Sequence, residues 1–374
     1  MGERKRTLED LERLRMSEMI QITNDMSDFY RGKRVLVTGH TGFKGSWLTR
    51  ILLMCGANVT GYSLNPPTEP SLFEISGIEN KITNVFDDVR NRGQLKKAFD
   101  LSHPEIVFHL AAQPIVRTSY ERPVETFETN VLGTVNLLEC IRTGNSVKSA
   151  VNITTDKVYR NEDGRDSAFT EDEFLMGWDP YSNSKSCSEL VTYSYVHSFD
   201  MKGISTVRAG NVIGGGDFAK DRLVPDCYRA LAQNEPIVIR NPKAIRPFQH
   251  VLEPVCAYLK IAMMQYENPE LAGNYNIGPA EEDCLNAEKL AGLFCREWGS
   301  EASYVIRGDG GPHEAAFLKL NCEKIRNTFG IEPKLTISDA VAMTAQWYKE
   351  YTKEGPEAAN SLMDRQIKEY LTNV

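Results

Sequence analysis

From Lys33 onward the chain alternates short apolar runs with stretches of helical spacing. Val35-Leu36-Val37 predicts a buried strand, and residues 43–55 a helix, because Trp47, Leu48, Ile51 and Leu52 recur at its period. Gly56 supplies a helix stop before a second strand at Val59. Residues 105–110, entered from Pro104, read as another core strand, 124–141 as a helix and 150–153 as a strand. Residues 180–199 follow as a helix and 204–207 as a further strand. This βαβα rhythm predicts an α/β fold built on a parallel, doubly wound sheet. After Ala209 the rhythm loosens into Gly214-Gly215-Gly216, several prolines and irregular helices, which predicts a smaller mixed α/β unit. The expected division is an extension over 1–31, a sheet-forming unit over 32–209, and a second unit over 210–374 partly interleaved with it. Residues 1–30 are polar, with Leu8, Leu11, Leu14 and Ile20 only loosely spaced; they read as a mobile extension, the ordered fold beginning at Lys33.

Composition narrows the function without naming it. The 374 residues are 41% hydrophobic and 25% charged, ordinary for a soluble protein. Net charge is −8 and no strongly basic block occurs, which argues against nucleic acid as the main partner. Local Arg and Lys residues still permit an anionic substrate. The eight cysteines are scattered with no C-x-x-C pair, so reduced thiols are expected rather than a disulfide framework or a metal site. No apolar run reaches the ~18 residues that a membrane helix requires. The start has charges but no apolar segment after them, and Arg6 stands where a myristoylation signal needs Ser or Thr. A cytoplasmic location, away from membranes, is expected.

Gly39-His40-Thr41-Gly42-Phe43-Lys44-Gly45 falls between the first strand and its helix. Its G-x-x-G-x-x-G spacing permits a tight turn and close approach to a pyrophosphate at the helix N-terminus. Gly39, Thr41, Gly42, Phe43, Lys44 and Gly45 are therefore candidate dinucleotide contacts; the plainer reading is a glycine-rich turn that binds nothing. At the end of the second strand, Gly61-Tyr62-Ser63-Leu64-Asn65 lacks both the acid expected for NAD and any arginine. Asp88 and Val89 are candidates for the adenine edge, with Asp88 as a simple helix cap the alternative. NAD is the favoured cofactor. Ala111 and Ala112 end a core strand, where small side chains admit either a cofactor or a close-packed helix. Asn130 either fixes a bend or meets a ligand.

The densest chemistry lies in Thr154-Thr155-Asp156-Lys157-Val158-Tyr159 and Tyr181-Ser182-Asn183-Ser184-Lys185. On a helix Tyr181 and Lys185 share a face, and a nearby ammonium favours the phenolate, making Tyr181 a base toward an alcohol. Asp156 and Lys157 add a second acid and base, more than an alcohol dehydrogenase needs. In the second half, Arg208, Asn211, Arg222, Arg246 and His250 stand out. Ile245-Arg246-Pro247-Phe248-Gln249-His250 mixes charge with apolar anchors, as suits an arginine that grips a phosphate.

These residues resemble the extended short-chain dehydrogenase/reductase family, and within it the nucleotide-sugar 4,6-dehydratases of the CDP-glucose type. The resemblance rests on TGHTGFKGSWL (38–48), GYSLNPPTEPSLFE (61–74), EIVFHLAAQPIVRTSY (105–120), NITTDKVY (152–159), DPYSNSKS (179–186), VRAGNVIGGGDFAKDRLVPD (207–226), IRNPKAIRPFQHVLEP (239–254) and PHEAAFLKLN (312–321). It covers nearly all of residues 32–350. It implies a Rossmann fold, NAD as cofactor, and a nucleotide-diphosphate hexose, CDP-glucose, as substrate. Tyr181 with Lys185 would take the 4-hydroxyl proton while Thr155 orients that hydroxyl. Asp156 would protonate the departing 6-hydroxyl, and Lys157 would remove the C5 proton. Asn211, Arg222, Arg246 and His313 match positions that hold the nucleotide diphosphate; Arg117 and His250, singled out by their surroundings, are further candidate substrate contacts. Helices 124–141 and 180–199 resemble the pair that builds dimers in this family, so a homodimer or homotetramer is implied.

The chemistry sets its own conditions. Lys157 is a base only when neutral, yet a free lysine titrates at ~10.4, so burial or a cation such as Lys185 must lower it. Asp156 must be shifted the other way, or the two must share a proton. The chain departs from the family pattern in residues 1–30, in Arg165-Asp166-Ser167-Ala168-Phe169-Thr170-Glu171, and in Met176-Gly177-Trp178 where a doubled glycine is usual. An epimerase or 4-reductase of the same fold is the alternative enzyme, but neither needs the acid at Asp156. A non-catalytic NAD-sensing module would tolerate loss of Tyr181 or Lys185; both are present.

Overall fold

The structure, a computed structural model, describes residues 26–161, 165, 167–308 and 317–372. Six strands, β1 (Arg34–Thr38), β2 (Asn58–Ser63), β3 (Thr83–Phe86), β4 (Ile106–His109), β5 (Ser149–Ile153) and β6 (Ile204–Ala209), join a seventh, Asn274–Ile277. They form one sheet in the order Asn274–Ile277, β6, β5, β4, β1, β2, β3, every neighbouring pair parallel. Successive side chains of a strand point to opposite faces. Val35, Val37, Ile106, Phe108, Val151 and Ile153 accordingly enter one core with helices Phe43–Met54 and Leu252–Glu267. Leu36, Val107, Ala150 and Ile204 enter the other, against helices Arg92–Ser102 and Gly133–Thr143. Each large aliphatic side chain so withdrawn from water contributes ~1.5–3 kcal/mol. Both faces are covered, which is why these strands are continuous apolar runs in the sequence.

Strand order reverses between β4 and β1, and ligands of such sheets bind at the carboxyl edge of that reversal. The seventh strand comes from the half of the chain expected to build the smaller unit, and it pairs with β6. The remainder of that half forms three two-stranded ladders: Val212–Ile213 with Gln249–His250, Ile245–Arg246 with Leu285–Asn286, and Ile237–Ile239 with Tyr304–Ile306. The triple glycine serves packing here. A Cβ on Gly215 would lie 2.0 Å from the Trp347 ring, and the Gly215 carbonyl accepts from Trp47 Nε1 at 3.1 Å.

Two expectations change, and one strand was not expected. The ordered chain starts before Lys33: residues 26–30 are helical, and the wholly buried Tyr30 donates to the Leu259 carbonyl at 2.8 Å. The helix expected over 124–141 is broken into Pro123–Phe127, a π-helical turn Glu128–Leu132, and Gly133–Thr143. Helical periodicity alone cannot register that extra backbone residue. β3 carries no run of buried apolar residues, being a partly exposed edge strand, and so escapes a pattern search. Among the described residues no helix is long and apolar enough to cross a membrane.

Candidate active site

The glycine turn is sterically committed. Gly39 has φ +75°, and a Cβ there would stand 2.6 Å from the Ala111 nitrogen; one on Gly45 would stand 2.1 Å from the Gly39 carbonyl oxygen. The helix that follows starts at Gly42 with no side chain capping it, so its first N–H groups are left for an anion. Thr41 Oγ1 donates to the Leu64 carbonyl at 3.0 Å and pairs with Ser63 Oγ at 2.9 Å, tying the turn to the end of β2. The His40 ring packs against Gly61 of β2: a Cβ there would lie 2.4 Å from it, and its Nε2 bonds Asn84 Oδ1 at 2.9 Å. Asp88 pairs with Arg90 at 2.6 Å, and the helix cap after it is Asn91, whose side chain accepts from Gln94 N at 3.3 Å. Val89 is buried against Gly133. Ala111 is half-buried and donates its N–H to Thr38 Oγ1 at 3.2 Å; Ala112 is half-buried beside it. An open cavity at this edge is lined by Asn65, Phe73, Phe86, Glu69, Glu74 and Glu79 among others, with no basic side chain among them. Asn130 fixes the backbone around it, accepting from Gln113 N at 2.8 Å and donating to Gln113 O at 3.1 Å and Ser184 Oγ at 2.8 Å.

A second cavity, of about 520 Å³, gathers most of the chemistry: Phe43, Lys44, Thr155, Asp156, Lys157 and Tyr181 from the sheet side, with Arg117, Asn211, Arg222 and Arg246 facing them. Thr155 caps the short turn Asp156–Val158, donating to Asp156 Oδ1 at 3.0 Å and accepting from Lys157 N at 3.4 Å. Asp179 caps helix Pro180–Ser198, accepting from Ser182 N at 2.9 Å, which places Tyr181 in its first turn and Lys185 one turn on. Asp156 is buried to 2% exposure, and Oδ2 has no hydrogen-bond partner among the described residues. Burial pushes its carboxyl up, outweighing the downward pull of Lys157, Thr155 and Arg246.

Lys185 follows Tyr181 by one turn on helix Pro180–Ser198, and its amine is held by the backbone. Lys185 Nζ donates to the Ile153 carbonyl at 2.9 Å, and burial lowers its amine to about 8 against the pull of Glu189. Burial raises Tyr181 to about 12; a hydrogen bond to Thr155 and the Arg222 charge oppose it. Burial, then the charges of Lys185 and Arg222, bring Lys44 down to about 7 while Asp156 opposes. The sequence placed Lys44 at a pyrophosphate; the structure also sets it on the reaction cavity.

On the opposite wall Arg222 Nη1 pairs with Asp217 at 2.9 Å, and Arg117 Nε lies 3.8 Å from Asp221. Arg246 is buried to 4% exposure and donates to its neighbour's carbonyl, Ile245 O, at 2.9 Å. Asn211 fixes its loop through its carbonyl, which accepts from Gln249 N at 3.0 Å. Sequence reasoning missed Arg240, which lines the cavity and bridges Asp221 at 2.7 Å and Asp226 at 3.0 Å; nothing in its local pattern separates it from a surface arginine. His250 does not reach the cavity. It is wholly buried, its Nδ1 accepts from Leu252 N at 3.3 Å, its ring meets Trp47, and burial lowers it to about 3. Apolar anchors flank it because it belongs to the core. His313 lies outside the described residues. All eight cysteines are free, and among the described residues no cluster of His, Cys, Asp and Glu could hold a metal.

Comparisons with known proteins agree on the class of chain. The family described as GDP-mannose 4,6 dehydratase matches residues 36–344. The CDP-glucose 4,6-dehydratase of Salmonella typhimurium is 44% identical over 335 residues, 87% of this chain and 93% of that protein. Among solved structures, the UDP-glucose 4-epimerase of Thermotoga maritima with UDP-glucose superposes with a TM-score of 0.76 at 22% identity, over 85% of this chain and 99% of its own. The dTDP-glucose 4,6-dehydratase of Bacillus anthracis in complex with NAD gives 0.73 at 22% identity, over 88% and 100%. These two likenesses carry the fold. With the extent of the family match and the 44% relative, the chain belongs to the GDP-mannose 4,6 dehydratase family.

Proposed function

We propose that this protein is an NAD-dependent CDP-glucose 4,6-dehydratase, a hydro-lyase that forms CDP-4-dehydro-6-deoxy-D-glucose for deoxysugar synthesis. The observation that carries the reading is the convergence of Tyr181, Thr155, Asp156 and Lys157 on one arginine-lined cavity, in a chain 44% identical to a CDP-glucose 4,6-dehydratase. The glycine turn fits the cofactor: Gly39 and Gly45 have no space for a Cβ, and the helix start has no side-chain cap. Gly39 to Gly45, with Lys185, would hold NAD, and three carboxylates (Glu69, Glu74, Glu79) beside the end of β2 disfavour a 2′-phosphate there. When bound, NAD⁺ supplies a hydride acceptor for C4 and, reduced, a hydride donor for C6.

The remaining work falls to the chain. Tyr181 takes the proton of the 4-hydroxyl that Thr155 orients, helped by the positive charge of Arg222. The 4-ketone acidifies the C5 hydrogen, which Lys157 removes. Asp156, held toward its neutral form by burial, gives its proton to the departing 6-hydroxyl, and water leaves. Arg117, Arg222 and Arg246 would hold the diphosphate, each as a charge-assisted donor. Exposed Val124, Leu132, Leu190 and Tyr193 on neighbouring helices suit a second copy, hence a homodimer. A nucleotide-sugar substrate and free thiols suit the cytoplasm. The test is incubation of the purified protein with NAD⁺ and CDP-, dTDP-, GDP- or UDP-linked hexoses, following loss of water and transfer of C4 deuterium to C6. CDP-glucose should give the dehydrated product with deuterium retained. A product that keeps its 6-hydroxyl would replace this reading with that of an epimerase or reductase.

A further inference from the structure

We propose that Glu189 and Arg208, neither of which reaches the cavity, are positioning residues for the reaction: their buried pair clamps both ends of the Thr155-Asp156-Lys157 turn onto the helix that carries Tyr181 and Lys185. The inference rests on the dehydratase reading. Glu189 lies one turn beyond Lys185 on helix Pro180–Ser198, and both partners are at most 2% exposed. Its Oε1 accepts from Arg208 Nε at 2.9 Å and Thr154 Oγ1 at 2.5 Å; its Oε2 accepts from Arg208 Nη2 at 2.9 Å and Thr206 Oγ1 at 2.5 Å. Thr154 is the residue just before the catalytic turn. On its other side, Tyr159 receives Arg208 Nη1 at 2.8 Å and donates to Asn276 Oδ1 at 2.6 Å on the seventh strand.

The same arginine reaches the stretch where the chain departs from its family's pattern. Arg208 donates to Glu171 O at 2.9 Å and lies 5.0 Å over the Tyr159 ring; Tyr159 stacks on Phe169 at 4.8 Å; and Arg165 covers Phe169 at 3.8 Å. Two stacked rings between two cations thus connect the Glu189–Arg208 pair to the divergent loop. Stability is a weak reason for such a pair, since desolvating two charges costs about as much as their attraction returns. Geometry is a better one, because Thr154 and Tyr159 bracket three reacting side chains.

The pair also sets charge. Lys44 from helix Phe43–Met54, His109 from β4 and Glu189 from its own helix are the titratable groups that act on or respond to Lys185. His109 is kept neutral by burial, down to about 3, so Glu189 is the anion of that set. Arg208 and Tyr159 face Glu189 in turn. Without its carboxylate Lys185 would lose its proton at a lower pH.

Two variants test this: Glu189→Leu/Arg208→Met, which removes both charges together, and Tyr159→Phe, which removes the hydroxyl that joins Arg208 to Asn276 and leaves the Glu189–Arg208 pair in place. For the folded double variant, confirmed by thermal unfolding, kcat on CDP-glucose should fall about 10²-fold with KM little changed. The alkaline limb of its pH profile should move down by about one unit. Tyr159→Phe should lower kcat with KM and the pH profile kept, and decides the matter if the double variant does not fold. Wild-type kcat and pH profile in a folded double variant, or wild-type kcat in Tyr159→Phe, would overturn the inference. If the wild type turns over no nucleotide hexose, the dehydratase reading fails instead. Competitive acetylation of Lys185 against pH then decides the clamp: a lower midpoint in the double variant sustains it and an unchanged midpoint overturns it.

Discussion

The two walls of the reaction cavity are built on different principles. The sheet wall sets Thr155, Asp156, Lys157 and Tyr181 at strand ends and helix starts, where caps and backbone hydrogen bonds leave each side chain little choice. The facing wall brings Arg117, Arg222, Arg240 and Arg246 in on short helices, loops and two-residue ladders. Three of its arginines, Arg117, Arg222 and Arg240, are held by Asp217, Asp221 and Asp226. The first wall suits proton transfer, where tenths of an ångström matter. The second suits recognition of a dianion, since a diphosphate entering among arginines already paired with carboxylates trades one charge-assisted contact for another. Chemistry should therefore fail on the first wall and affinity on the second.

That division can be broken in graded ways. Lys157→Ala should keep C4 oxidation and lose elimination by about 10²–10⁴-fold, seen as a 4-keto sugar that retains its 6-hydroxyl. Unchanged formation of the 6-deoxy product would remove Lys157 from the mechanism.

Acidification should weaken both walls together. His109 under the sheet and His250 behind the ladders are both lowered by burial, to about 3, Lys185 adding to the effect at His109. Their folded values lie below the unfolded ~6.5, so the unfolded chain binds more protons below that pH and stability falls as pH drops from 6.5 toward 3. By pH 5 the loss is about 2 kcal/mol for each imidazole, measurable by denaturant titration. A flat stability between pH 7 and 5 would mean that these rings are protonated when folded.

Gly39→Ala should cost about 1–3 kcal/mol of stability and abolish NAD⁺ binding, because a left-handed backbone and the Ala111 nitrogen both exclude the methyl group. Normal NAD⁺ titration in that variant would show that the turn yields. Arg222→Met, on the other wall, should raise KM for CDP-glucose about tenfold, the worth of one charged hydrogen bond. Since Arg222 also lowers Tyr181, the base of the reaction, the acidic limb of the pH profile should shift upward. A fall in kcat with KM unchanged would move Arg222 to the catalytic side of the comparison.

The legible parts of this site are those whose neighbours are close along the chain. Gly39 to Gly45, the four-residue step from Tyr181 to Lys185, and Asp156 beside Lys157 are each short patterns. His250 misled because five flanking residues describe a core histidine and a ligand equally well. Arg240 and Asp221 lie 19 positions apart, Glu189 and Arg208 also 19, and Tyr159 and Asn276 are 117 apart. No window of helical or strand width contains both members of such a pair.

The amino-acid order by itself determined the parallel sheet and the glycine turn, because periodic burial and backbone sterics act within a few residues. Tertiary structure alone decided which charge acts on which. It brought the Lys185 charge to bear on Lys44, tied that amine to a backbone carbonyl, withdrew His250 from the cavity, and held Asp156 toward its neutral form. Desolvation and charge depend on everything that surrounds a group in space, and most of what surrounds these groups is distant in the chain.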